Sequence, residues 1–135
     1  MDRNLQLLGI ARKAGLLAVG AESVSAAARA GKASAVFSAG DASDGAKRRA
    51  SRDSEFCGAV YSEIPYTKFE LGNVTGRGSP GTLAILDPGL AGKFLRGLAE
   101  GCPERYGKMA DLLAERTGVR EGNSKNTAGK RRTAQ

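Results

Sequence analysis

The chain contains no histidine and no tryptophan, and only two cysteines and four prolines among its 135 residues. Each scarcity removes a class of function. Without histidine, the commonest general acid–base and the commonest metal ligand are both missing. Cys57 and Cys102 lie far apart and outside any CxxC pair, so they make neither a disulfide framework nor a zinc knuckle. They read as reduced, half-buried thiols of a cytoplasmic protein. The start, Met1-Asp2-Arg3-Asn4, lacks the basic region and apolar run of a signal peptide. No apolar stretch approaches the ~20 residues of a membrane span, so no membrane partner is expected.

Phosphate-binding signatures are also absent. Gly76-Arg77-Gly78-Ser79 contains a GxG, but it precedes a predicted strand, whereas a dinucleotide fingerprint follows one. No GxxxxGK[ST] loop occurs. Asp41 and Asp44 could pair for acid–base chemistry, yet helix capping explains them better. The sequence therefore predicts no enzyme, no catalytic residues, no metal site, no cofactor and no small-molecule substrate.

Aromatics make up 5% of the chain, which leaves Leu, Ile, Val and many Ala to build the core. Alanine covers little area, so the elements that bury it must approach closely. The length suits one domain with one core. Helical periodicity runs from Asn4 to Ala14 with Gly15 as a stop, and Leu16–Val19 is a short entry or edge strand. An Ala-rich helix spans Glu22–Ala30, stopped by Gly31. Ser34–Ala39 is a strand candidate. Asp41–Phe56 is a weaker helix that Asp41, Ser43 or Asp44 could cap. Ala59–Ile64 is the next strand, ended by Pro65. Thr67 and Glu70 form a capping box, with Tyr66 and Leu71 placed as its hydrophobic staple, and that helix ends near Gly72 or Gly76. Thr82–Leu86 is apolar enough for a central strand covered on both faces. Asp87-Pro88 opens another helix, and a last one spans Pro103–Arg116. Alternating helices and strands predict an α/β fold, a three-layer α/β/α sandwich over residues 1–117. Residues 118–135, without periodicity or large apolar side chains, are expected to be a disordered basic tail.

What is plentiful is positive charge. Lys and Arg total 21 against 14 Asp and Glu, a net charge of +7 with a pI near 9.8. Residues 1–52 carry nine basic and four acidic side chains, residues 53–117 seven and nine, and residues 118–135 five and one. Such segregation suits a polyanion, because displaced counterions drive the association.

Three stretches in order carry a family resemblance: Leu7-Leu8-Gly9-Ile10-Ala11-Arg12-Lys13-Ala14-Gly15, then Gly20 through Gly31-Lys32-Ala33, then Phe69-Glu70-Leu71-Gly72 with Ala84-Ile85-Leu86-Asp87-Pro88-Gly89. Together they resemble the kink-turn RNA-binding ribosomal protein family, which includes archaeal and eukaryotic large-subunit proteins and small bacterial relatives. The resemblance covers roughly residues 4–98. It implies a small four-stranded mixed sheet and, as partner, structured RNA such as rRNA or another kinked RNA, with possible association with the ribosome.

The resemblance places the RNA site at the start of the second helix: Gly20, Ala21, Glu22 and Ser23. The family pattern Gly-x-Asn-Glu-x-x-Lys is only partly kept. Its Asn, Glu and Lys positions are Glu22, Ser23 and Ala26 here, and Ala26 offers no contact to phosphate or base edge. The plain alternative for Gly20-Ala21-Glu22-Ser23 is an ordinary helix start. Flanking candidates are Arg12 and Lys13 leaving the first helix, Lys47, Arg48 and Arg49 on the third, and Arg77-Gly78-Ser79, which resembles the loop over the RNA kink. Each alone could be a solvated charge. Lys130-Arg131-Arg132 in the tail would add salt-sensitive affinity without sequence preference. The rival reading is a protein-interaction module on the same fold that has lost its RNA specificity.

Overall fold

A computed structural model describes residues 2–117. The tail expected at 118–135 lies outside the described residues. Within them the chain runs α1 (Arg3–Lys13), β1 (Leu17–Val19), α2 (Ala21–Arg29), β2 (Ala35–Ala39), α3 (Asp44–Cys57), β3 (Val60–Ile64), α4 (Lys68–Thr75), β4 (Thr82–Ile85), α5 (Pro88–Gly101) and α6 (Pro103–Thr117).

Local chemistry sets most boundaries. The Asp2 carboxylate accepts the Asn4 and Leu5 N–H groups and opens α1. Of the three candidates before α3, Ser43 is the cap. Asp41 turns instead to the neighbouring helix and accepts the Lys68 N–H at 2.8 Å. The Thr67–Glu70 capping box is formed, and Tyr66 and Leu71 beside it are both buried. α4 continues through Gly72 and stops at Gly76. Asp87 caps α5 with Pro88 in its first turn.

The sheet order is β1-β4-β2-β3. β4 pairs antiparallel with both β1 and β2, while β2 and β3 are parallel. Strand alternation divides the core in two. Leu17, Val19, Ala35, Phe37, Val60, Ile64, Leu83 and Ile85 point to one face, where α1, α4, α5 and α6 cover them. Phe37 meets Phe94 of α5 edge-on, with centroids 5.1 Å apart. Val36 and Ala84 point to the other face, where Val24 of α2 and Ala50 of α3 close over them. The result is a three-layer sandwich around an open four-stranded mixed sheet.

The second core is thin because its side chains are small, and polar contacts reinforce it. Ser25 of α2 donates to the Asp53 carboxylate at 2.6 Å, and the Arg49 Nε donates to the same Ser25 oxygen at 3.1 Å. These bonds tie α2 to α3. Fully buried Ser38 finds its partner in the Tyr61 hydroxyl at 2.9 Å, so no hydroxyl is left unpaired in the sheet there. Cys57 and Cys102 are free and half-buried.

Buried Tyr66 joins the end of β3 to the start of α1 by donating to the Asp2 carboxylate at 3.0 Å. Burial, countered by a hydrogen bond with Asn4 and reinforced by Asp2, pushes its phenol up to about 12. The folded state therefore holds this proton while the unfolded chain releases it near pH 10. The stabilisation is complete below pH 10 and is lost as pH rises towards 12. Tyr66→Phe should cost about 1–3 kcal/mol at neutral pH through the lost hydrogen bond. Urea unfolding of both proteins should show that gap narrowing above pH 10. A gap independent of pH would mean the phenol does not titrate against folding.

Candidate nucleic-acid interface

The register brings the site together. Val19 pairs with Leu83 and Ser38 with Thr82, so β1 and β2 end on the edge where β4 begins. α2 and α3 both start from that edge. Gly20 joins β1 to α2 at φ +94°, a conformation that side chains other than glycine rarely adopt. It supplies no side-chain cap. By contrast α1, α3, α4 and α5 are each capped, by Asp2, Ser43, Thr67 and Asp87. The first turn of α2, with Ala21, Glu22 and Ser23, thus presents its backbone N–H groups and the positive end of the helix dipole without a covering oxygen.

Across from Gly20 stands the chain between α4 and β4. Val19, Gly20, Arg77, Gly78, Ser79 and Pro80 line an open cleft of about 210 Å³. Pro80 is buried, whereas Arg77, Gly78 and Ser79 are exposed. Two backbone bonds fix the cleft's floor: Gly20 N–H to the Thr82 carbonyl at 2.9 Å, and Ala39 N–H to the Gly81 carbonyl at 2.8 Å. A third constraint comes from Gly72. A Cβ there would stand 2.6 Å from the Gly78 carbonyl oxygen and 2.8 Å from that of Arg77. α4 and the 77–78 backbone can lie against each other only because this residue has no side chain.

The flanking basic residues divide. Arg12 donates through Nε to the Thr75 carbonyl at 3.4 Å, which holds it near the start of the Arg77 loop. Lys13 is exposed at the end of α1, separated from Gly20 by the length of β1, about 10 Å. Lys47 is occupied: its Nζ lies 3.3 Å from Glu63 and donates to the Gly40 carbonyl at 3.3 Å. Arg49 holds Ser25 on the α2–α3 seam. Arg48, next to both, is exposed. The structure thus brings Gly20, Ala21, Glu22, Ser23, Arg77, Gly78 and Ser79 together, with Arg12 behind the loop. Lys47, Arg48 and Arg49 lie on the neighbouring helix, α3.

A larger groove of about 930 Å³ runs between α1 and α5, with Arg3, Lys93, Arg96, Asp2 and Glu100 among its lining residues. Its charge is mixed, and no uncapped helix start opens into it. The smaller cleft is the better candidate on chemistry. Among the described residues no group of three His, Cys, Asp or Glu gathers as a metal site. No helix among them is long and apolar enough to cross a membrane.

No protein-family model matches the chain, and no curated protein matches it. Solved structures do. A protein of unknown function from Bacillus halodurans aligns with a TM-score of 0.65 at 22% identity, covering 73% of this chain and 98% of its own. The 15.5kD RNA-binding protein of Giardia lamblia aligns with a TM-score of 0.56 at 18% identity, covering 81% of this chain and 85% of its own. At these identities the likeness is one of fold.

The role of Gly72 is directly measurable. Gly72→Ala must push α4 and the 77–78 backbone apart, and such overpacking costs about 1–3 kcal/mol. Urea unfolding should show a loss of that size. Gly78→Ala, whose Cβ meets nothing within 4 Å, should be close to neutral. Equal effects at the two positions would mean that the close approach is not what constrains the loop.

Proposed function

We propose that this chain is a non-catalytic protein that binds structured RNA at the rim formed by the start of α2 and the 77–80 loop. The observation that carries this reading is the uncapped start of α2 facing Arg77 across an open cleft. Backbone N–H groups at a helix start bind phosphate, and the helix dipole favours it. A guanidinium can fork two phosphate oxygens or stack on a base. Gly20 and Gly78 leave room for a nucleic-acid backbone to approach. At about 210 Å³ the cleft suits a phosphate or one extruded base more than a small-molecule substrate, whose pockets run to roughly 300 Å³ and above. The chain has no histidine to move a proton.

Two further considerations support RNA as the partner. The sequence resembles the kink-turn-binding family over roughly residues 4–98, and a protein of similar fold, from Giardia, is described as RNA-binding. The finer reading is a kinked duplex, ribosomal or other, recognised by its shape. Glu22 can accept from guanine amino groups, but Ala26 on the exposed side of α2 reaches nothing. Affinity then comes mainly from phosphate contacts, and base discrimination is shallow.

Charge reversal tests the surface. Arg77→Glu or Arg48→Glu should weaken binding to total RNA and lower the salt slope by about one per lost phosphate contact. Arg105→Glu and Lys108→Glu on α6 should do much less. If both pairs act alike, the attraction is diffuse and this rim is not the site. If RNA is not retained at all while protein partners are, the chain is a protein-interaction module.

Specificity is tested by restoring the family residues with Glu22→Asn, Ser23→Glu and Ala26→Lys. The native protein should prefer a kink-turn RNA to a plain duplex only modestly. The triple variant should sharpen that preference, since each good base contact contributes roughly 1–3 kcal/mol in the analogous DNA case. Titrations at one salt concentration read this out. Discrimination of several orders of magnitude by the native protein would show that Ala26 is no loss.

A further inference from the structure

The groove of about 930 Å³ between α1 and α5 belongs to the helix layer on the sheet face opposite α2. It runs past Arg3 to Ile10 on α1 and past Lys93 to Glu100 on α5, about 10 Å or two turns of each helix. The two helices meet closely within it, since a Cβ at Gly97 would run into the Asn4 side chain. Ile10 is 61% exposed there. A single exposed apolar side chain is ordinary, and Phe56, Phe69 and Leu112 are exposed as well. Those three line neither of the two clefts. Ile10 instead shares the groove with half-buried Leu7, one turn earlier on the same face of α1.

Arg3, Lys93 and Arg96 are exposed beside this apolar pair. Among the described residues none of the three makes an ion pair. Of the two carboxylates in the groove, Asp2 is already engaged: it caps α1 and accepts the Tyr66 hydroxyl at 3.0 Å. That leaves Glu100 against three cations. The chemistry sorts the occupants. RNA would bring phosphates to the cations but nothing apolar to Leu7 and Ile10. Residues 118–135 carry five basic side chains and one acidic, with no Leu, Ile, Met or aromatic, so they offer like charge and little apolar area. A second copy joined through the same groove would set three cations against three. A segment both apolar and acidic satisfies the whole lining. An amphipathic helix in a groove anchors through side chains at i, i+3 and i+4, a spacing that fits within two turns.

We propose that the α1–α5 groove docks an acidic amphipathic helix of another protein. Its apolar side chains seat on Leu7 and Ile10, and its carboxylates meet Arg3, Lys93 and Arg96. The groove shares no lining residue with the cleft at Gly20, so the inference stands apart from the RNA-binding reading.

The probe is a fluorescein-labelled helical peptide about four turns long, with leucines at i, i+3 and i+4 on one face and glutamates beside them. Its control has the same composition in scrambled order, which keeps the charge and breaks the apolar face. By fluorescence anisotropy the native chain should bind the patterned peptide about tenfold more tightly than the control, or better. Ile10→Asp should abolish that preference, and thermal unfolding checks that so exposed a position leaves the fold intact. The double variant Lys93→Glu, Arg96→Glu should lose the patterned peptide and instead prefer its counterpart with lysines for glutamates, a gain that a misfolded chain cannot show. Absence of binding, equal binding of patterned and scrambled peptides, or a preference that survives Ile10→Asp would overturn the proposal. So would displacement of the peptide by a plain stem RNA that the double variant no longer binds, which would reassign the groove to nucleic acid.

Discussion

Thr82 begins β4, one of the two interior strands of the sheet, and its carbonyl takes the Gly20 N–H at 2.9 Å. That bond makes the start of α2 and the segment before β4 a single unit. β4 lies between β1 and β2 and is buried throughout, so neither end of it can shift without disturbing both cores. Everything at the candidate rim is referenced to it. The turn at Gly20, the cleft residues 77–80 and the approach of α4 at Gly72 are all set by where β4 enters the sheet. A binding surface made of backbone groups needs such a frame, because backbone donors cannot adjust by changing rotamer.

The thinness of the second core follows from the same arrangement. α2 must begin within reach of the loop before β4, and small side chains at Val36, Ala84, Val24 and Ala50 let it lie close to the sheet. So little apolar area gives modest stabilisation, at roughly 25 cal/mol per Å². The Ser25–Asp53–Arg49 bonds add direction to what the small side chains cannot fix by shape. Arg49 belongs to that framework, so a basic residue on α3 is not automatically a free surface charge.

Much of the fold was legible because its signals are local. The capping box at Thr67, the Asp87-Pro88 start and the apolar run of β4 each announce an element through chemistry within a few residues. Ser43, Asp41 and Asp44 were not separable in the sequence, since any of them can cap. Only the neighbouring α4, which claims Asp41 from 27 positions away, decides among them. The site was legible to the same extent. Gly20 and the Arg77–Ser79 loop were singled out through their resemblance to a family pattern, and the fold brings them to one cleft. The bonds that occupy Lys47 and Arg12 are to Glu63, Gly40 and Thr75, partners that no spacing rule relates to them. Gly72 shows the boundary best. As a letter it reads as a possible helix stop, and only the 2.6 Å approach of the Gly78 carbonyl reveals that its role is to let two backbones meet.

The electrostatics of the rim also bear on how RNA would be read. Glu22 lies in the first turn of α2, where the dipole favours a carboxylate, and its exposed side chain leaves the backbone N–H groups there uncapped. The positive side chains stand around that point and not on it: Arg77 across the cleft, Arg12 behind the loop, Arg48 on the next helix. On the proposed reading a phosphate would meet these cations and the N–H groups of α2, while the exposed Glu22 carboxylate beside them suits a group with hydrogens to donate. Charge arranged in this way separates two tasks. On that reading the basic periphery would supply affinity that salt weakens, and the backbone donors of α2 with Glu22 beside them would select what is bound. With alanine and no basic side chain at position 26, recognition on that reading would depend more on the path of the RNA backbone than on its bases.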